Sequence, residues 1–116
     1  MKVATIGAGY VGLVTAACLA DIGHDVTCAD TDADRVAGLR RGVLPFHEPE
    51  LDTLVQHHHA HGRLSFTDAV DAGVTGRDVV FIAVGTPTRD EDERADLTAV
   101  RSVARTVAHA ADEGTV

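Results

Sequence analysis

Gly7-Ala8-Gly9-Tyr10-Val11-Gly12 lies near the start of a 116-residue chain and has the pattern G-x-G-x-x-G. Three glycines at this spacing arise readily by chance, so the surroundings must give the motif its weight. Before it stands Lys2-Val3-Ala4-Thr5-Ile6, a short apolar run of strand character. After it, over 11–22, Leu13, Val14, Ala17 and Leu19 recur at helical spacing and are expected to face a sheet; Gly23 ends the run. A second strand is expected over 25–29, and Asp30 closes it eighteen residues past Gly12. Strand, glycine turn, helix, strand and terminal carboxylate together form a dinucleotide-binding βαβ unit.

Each position of the motif has a physical task. Gly7 permits the tight turn from strand to helix. Gly9, with no side chain, lets a pyrophosphate approach the backbone, and Gly12 lets the helix pack closely on the strand. The first amides of the helix, Tyr10 and Val11 among them, have no acceptor four residues back and sit at the positive end of the helix dipole. Asp30 is placed to accept hydrogen bonds from a ribose and to repel a 2′-phosphate, which favours NAD over NADP. Arg35 works the other way, because a nearby arginine can bind that phosphate.

Outward from the motif, strand-like and helix-like periods keep alternating. Helices are expected over 32–41, stopped by Gly42, and over 50–61 after a loop punctuated by Pro45 and Pro49. A brief strand over 64–66 leads to Thr67, expected to cap a helical segment that ends at Gly73. The run 78–84 is the most apolar of the chain and reads as a strand buried on both faces. A polar loop over 85–95, a helix over 97–111 and the first residues of one more strand at Thr115-Val116 complete the pattern. The expectation is one α/β domain over 1–116, a Rossmann-type, doubly wound, three-layer parallel sheet truncated after about four strands. An uncovered sheet edge, and with it self-association, follows from that truncation.

Composition narrows the partners. Formal net charge is −8, which argues against nucleic acid or an anionic membrane surface. Aromatic residues are 3% of the chain, so the core must be built from aliphatic side chains. No apolar stretch approaches a membrane span and no leader-like segment opens the chain, so the expected location is the cytoplasm. Cys18 and Cys28 have no metal-type or redox spacing and read as small buried apolar residues. His57, His58, His59 and His61 form a cluster in which His57 and His61 share a helix face, but no further ligand accompanies them. The cluster reads as a polar helix end, and no metal is expected. Asp68, Asp71 and Asp78 read as helix-end and strand-edge residues, and the charged run 89–94 as a solvated loop.

Beyond the glycine motif, four stretches resemble the UDP-glucose/GDP-mannose dehydrogenase family: the first 30 residues, Arg40-Arg41-Gly42-Val43-Leu44-Pro45-Phe46-His47-Glu48-Pro49-Glu50-Leu51, Gly62-Arg63-Leu64-Ser65-Phe66-Thr67, and Asp78-Val79-Val80-Phe81-Ile82-Ala83-Val84-Gly85-Thr86-Pro87-Thr88 followed by Ala95-Asp96-Leu97-Thr98-Ala99-Val100. The Gly85-Thr86-Pro87 turn and the Glu48-Pro49 loop make the resemblance specific. It implies an NAD site on Gly7, Gly9, Tyr10, Val11, Gly12, Asp30, Arg35, Gly85 and Thr86. Thr86 also has a plain reading as a turn residue before Pro87. Two positions depart from the family: Arg35 stands where lysine is usual, and Glu50 where the Glu-Pro-Gly-Leu signature has glycine. The family oxidises the C6 alcohol of a nucleotide sugar, UDP-glucose to UDP-glucuronate in the first instance, in two NAD-dependent steps. Its catalytic cysteine and that residue's partners lie downstream of this stretch, so these 116 residues are expected to hold no catalytic residue and to be inactive alone. The intact enzyme is expected to be a homo-oligomer. GDP-mannose or a UDP-N-acetylhexosamine remains open as the substrate, and so does a sensor module without catalysis.

Overall fold

In a computed structural model describing residues 1–116, the alternation becomes nine elements. They are β1 (Lys2–Ile6), α1 (Tyr10–Asp21), β2 (Asp25–Ala29), α2 (Ala33–Arg40), α3 (Pro49–Ala60), β3 (Leu64–Thr67), α4 (Val70–Val74), β4 (Val79–Ile82) and α5 (Thr98–Ala110). All strand pairs are parallel and the sheet order is β3-β2-β1-β4. The chain builds outward from β1 to β3, then crosses back to place β4 on the other side of β1. That reversal makes the gap between β1 and β4 a switch point, where open α/β sheets take ligands.

Period-two alternation sends neighbouring residues of each strand to opposite faces. On one face Val3, Val26, Cys28, Leu64 and Phe66 join α1, α2 and α3 through Leu13, Ala17, Val36, Leu39 and Val55 in one buried cluster. On the other, Ala4, Ile6 and Ala29 meet Val70 and Val74 of α4 and Val103 of α5. Alanines at 16, 17 and 20 let α1 lie close to β1 and β2, with Leu13 as its fully buried anchor. α2 begins at Asp32, whose Oδ1 accepts the Arg35 amide at 3.1 Å. The Arg40 guanidinium ties its far end to β3 by donating to the Phe66 carbonyl at 2.8 and 3.1 Å. Pro49 opens α3, and Glu50 and Asp52 occupy its first turn, where negative charge is favoured. Glu50 therefore continues the helix rather than shaping a loop.

Several expectations need correction. α1 buries Ala16 and Ala20, while Val14 and Leu19 are only partly buried. Cys18 is exposed, because it lies on the side of α1 turned from the sheet. Thr67 does not cap α4; its hydroxyl accepts the Ala69 amide at 3.1 Å, and the helix runs past Gly73 to Val74. β4 is shorter than 78–84 and is not buried on both faces: Phe81 is 42% and Ile82 40% exposed. It is an edge strand, and α1 lies over β1 and β2 rather than over it. Beyond it stands only the backbone of Val116, whose amide donates to Asp78 at 3.0 Å and whose carbonyl accepts from Val80 at 2.8 Å. Thr115 does not join them, since its amide donates to the Asp112 carbonyl at 3.1 Å, and the expected strand at 115–116 does not form. No helix is long and apolar enough to cross a membrane.

Candidate functional site

The C-terminal ends of β1, β2 and β4 surround a cleft of about 430 Å³ at the switch point. Gly7 and Gly9 line it from the first turn, Asp30 and Arg35 from the second, and Gly85 from the end of β4.

The three motif glycines are needed for different reasons. Gly7 has φ +107°, and a Cβ there would stand 2.4 Å from the Ala83 carbonyl oxygen. A Cβ on Gly12 would stand 1.8 Å from the Gly7 carbonyl oxygen, so this glycine packs the helix against its own preceding turn rather than directly on the strand. Gly9 has an ordinary φ of −74°, and a Cβ would meet no protein atom within 4 Å. Neither backbone conformation nor packing requires Gly9. The room it leaves faces outside the chain, as a ligand-facing position would.

The amides beside that room are free. The first hydrogen bond of α1 runs from the Leu13 amide to the Gly9 carbonyl at 2.9 Å, and the amides of Tyr10, Val11 and Gly12 have no acceptor within the chain. Three parallel donors at a helix N-terminus, in front of an open face, suit a diphosphate. The residues present therefore fit the phosphate half of a dinucleotide.

Asp30 stands at the end of β2, 8% exposed. Its Oδ2 accepts the Ala8 amide at 2.8 Å, its Oδ1 accepts the Asp32 amide at 2.8 Å, and Arg35 Nη1 lies 3.3 Å from Oδ2. An ionised carboxylate has about four acceptor sites, so one remains on Oδ1 for a ribose hydroxyl. Arg35, half exposed, offsets the negative charge at the cleft.

Five of the nine expected residues thus line one cleft: Gly7, Gly9, Asp30, Arg35 and Gly85. Tyr10, Val11, Gly12 and Thr86 do not. Tyr10 is 57% exposed and its ring packs on Phe46, with centroids 5.2 Å apart. Val11 and Gly12 can contribute through their amides. Thr86 is exposed beyond Gly85 and makes no hydrogen bond. The cleft also gains Thr31, Val84, Ser102 and Val103, which the motif reading missed. Thr31 follows Asp30 directly, and Val84 precedes Gly85, so both were within reach of the sequence. Ser102 and Val103 come from α5, whose side facing the cleft is set by its docking on α4 and β4.

Other reactive side chains stay outside the cleft. Burial pushes the Cys28 thiol up from 9.0 to about 11; the Asp30 charge adds to this and the Thr5 hydroxyl opposes it. Such a thiol is a poor nucleophile. The histidines turn to separate partners. His58 is buried with Nε2 2.9 Å from Asp21 Oδ1, His59 Nδ1 lies 3.0 Å from the Leu64 carbonyl, and His61 Nδ1 lies 2.7 Å from the His57 carbonyl. Asp78 Oδ2 accepts the Lys2 amide at 2.9 Å, as a strand-edge residue would.

Residues 1–116 match the UDP-glucose/GDP-mannose dehydrogenase family, NAD binding domain. The chain is 53% identical over 108 residues to a UDP-glucose 6-dehydrogenase of Rhizobium meliloti (strain 1021), covering 93% of this chain and 25% of that protein. It is 50% identical over 104 residues to a UDP-glucose 6-dehydrogenase of Pseudomonas aeruginosa, covering 90% of this chain and 23% of that one. Among solved structures, a ternary complex of GDP-mannose dehydrogenase from Pseudomonas aeruginosa is similar with TM-score 0.89 and 36% identity, over 95% of this chain and 25% of that one. A UDP-D-ManNAc dehydrogenase from Pyrococcus horikoshii superimposes with TM-score 0.93 and 34% identity, over 100% of this chain and 27% of that one. The chain spans about a quarter of the length of the curated relatives it matches.

Proposed function

The chain belongs to the UDP-glucose/GDP-mannose dehydrogenase family, as its NAD-binding domain, and on that premise we propose that it holds NAD for the two-step oxidation of UDP-glucose to UDP-glucuronate. Gly7, Gly9 and Gly12 shape the phosphate turn, and the amides of Tyr10, Val11 and Gly12 bind the diphosphate. Asp30 and Arg35 hold the adenosine ribose. Gly85 and Thr86 lie toward the nicotinamide. When bound, NAD supplies a hydride acceptor; these residues bind and orient it and move no proton themselves. UDP-glucose is preferred over GDP-mannose or a UDP-N-acetylhexosamine because relatives at 53% and 50% identity carry that activity in their names. The sugar-oxidising groups belong to residues outside these 116, and the working enzyme is a cytoplasmic homo-oligomer.

One observation carries the cofactor reading: three free amides at the start of α1, next in the chain to the space that Gly9 leaves open. Titration of the chain with NAD, followed through its backbone amide resonances, tests it. The largest shifts are expected at Gly9 to Gly12, Asp30 and Arg35. Shifts elsewhere, or none at saturating NAD, would refute the site. A parallel NADP titration weighs Asp30 against Arg35, and weaker binding of NADP is expected.

A further inference from the structure

Asp30 makes two contacts that a residue serving only a ribose would not need. Its carboxylate bridges two loops: Oδ2 accepts the amide of Ala8, inside the glycine turn after β1, and Oδ1 accepts the amide of Asp32, at the start of α2. Ala8 is 1% exposed, so water cannot easily replace that acceptor. The turn needs such a hold. Gly7 has φ +107°, in a region where glycine moves freely, and its own amide is the neighbouring anchor, donating to the Ala29 carbonyl at 2.7 Å. With the Ala8 amide drawn inward, the amides that follow, of Tyr10, Val11 and Gly12, are left without a partner in the chain. Arg35 Nη1, 3.3 Å from Oδ2, offsets a negative charge that would otherwise repel phosphate.

We propose that Asp30 is a positioning residue for the phosphate turn: its carboxylate clasps the Ala8 amide and sets the direction of the free amides of α1 before any ligand arrives. The ligand side of this proposal rests on the cofactor reading above. The clasp itself is a property of the free chain.

Inorganic pyrophosphate separates this role from ribose binding, because it has no ribose. If Asp30 acted only as a charge and a ribose acceptor, Asp30→Ala would remove a repelling anion and pyrophosphate would bind more tightly. The clasp predicts the opposite. Alanine has no acceptor, so it leaves both the Ala8 and the Asp32 amide without a side-chain partner.

Amide hydrogen exchange of the ligand-free chain gives the first measurement. In Asp30→Ala, protection at Ala8 and Asp32 is expected to fall by about tenfold or more, the loss of one charged hydrogen bond at each. Ile6 and Val26, in the ladder, should keep theirs and so report an intact fold. The second measurement is pyrophosphate affinity, expected to weaken by about fivefold or more, a part of the same bond. Unchanged protection at Ala8, or tighter pyrophosphate binding, would overturn the proposal. If the variant does not fold, exchange in the wild-type chain decides: the Ala8 amide should be protected like that of Gly7, and exchange as fast as at Tyr10 would overturn the clasp. Failure of the wild-type chain to bind either NAD or pyrophosphate would remove the cofactor reading and leave the exchange result to judge the clasp alone.

Discussion

β1 and β4 are neighbours in one sheet and similarly apolar, yet they live in different surroundings. In β1, Val3, Ala4, Thr5 and Ile6 are at most 2% exposed. It has a strand on each side, α1 above and α4 below. In β4, Phe81 and Ile82 are 42% and 40% exposed, and the outer edge meets only Val116. Composition alone would rank β4 as the deeper strand. An apolar strand reports that it suits a two-sided burial, but whether it obtains one depends on what the chain places beside it. The first half of the molecule should therefore dominate stability, while the second closes the cleft with modest packing.

The contrast should break most severely at Gly12. A Cβ there falls 1.8 Å from a backbone oxygen, with no flexible side chain to give way. Gly12→Ala is expected to cost about 3 kcal/mol or more and to abolish NAD binding. Gly9→Ala meets no protein atom and should leave the urea midpoint nearly unchanged while weakening NAD by about tenfold or more, because the methyl group occupies the approach to the phosphates. Equal effects on stability from the two alanines would mean that Gly9 serves packing after all.

The core sharpens the comparison. Leu13, fully buried over β1 and β2, should cost about 2–5 kcal/mol as alanine. Val103, the one buried residue of α5, should cost about 1–2 kcal/mol, having fewer atoms to lose. Urea unfolding of both variants tests the ranking, and the reverse order would place the main core on the β4 side.

Cys28 offers a pH-dependent version. Burial in the β1–β2 half raises its thiol from 9.0 to about 11, so the unfolded chain gives up this proton first. The contribution to stability is whole below pH 9 and is lost as pH rises toward about 11, amounting to about 2–3 kcal/mol at the upper end. Cys28→Val should flatten that part of the stability profile relative to wild type; parallel profiles would show that the thiol ionises without unfolding. Cys18, exposed on α1, should react promptly with a thiol reagent in the native chain while Cys28 stays protected.

The same contrast marks what was legible in the sequence. The turn from Gly7 to Gly12, the carboxylate of Asp30 and the alternation of strands and helices were readable because local chemistry dictates them: a positive φ, an orphan amide, a charge at a strand end, a change of apolar period. The exposure of Phe81, the outward face of Cys18 and the share of α5 in the cleft were not. Each depends on which neighbour covers a surface, and residue pattern along one element does not carry that. The second and third contacts of Asp30 belong to the same class. Its position after β2 was evident, but the reach to Ala8 across 22 residues appears only when the two loops are side by side.

The smallest effect on stability should come from the β4 edge, and it is diagnostic for that reason. Phe81 faces the α1 side of the sheet and Ile82 the α5 side, and both are about two-fifths exposed. Threonine keeps the preference for extended backbone while removing apolar surface. Phe81→Thr and Ile82→Thr should each shift unfolding by about 1 kcal/mol or less, since the buried part of each side chain is modest. Their larger effect should be on association. An apolar edge strand with open backbone groups is a template for pairing, and Val116 meets β4 only at Val80, and Asp78 just before it. Sedimentation of the wild-type chain should show concentration-dependent self-association that the double threonine variant reduces. Identical sedimentation of the two would mean that Val116 and the 85–95 loop already protect the edge, and β4 would then differ from β1 in side-chain burial alone.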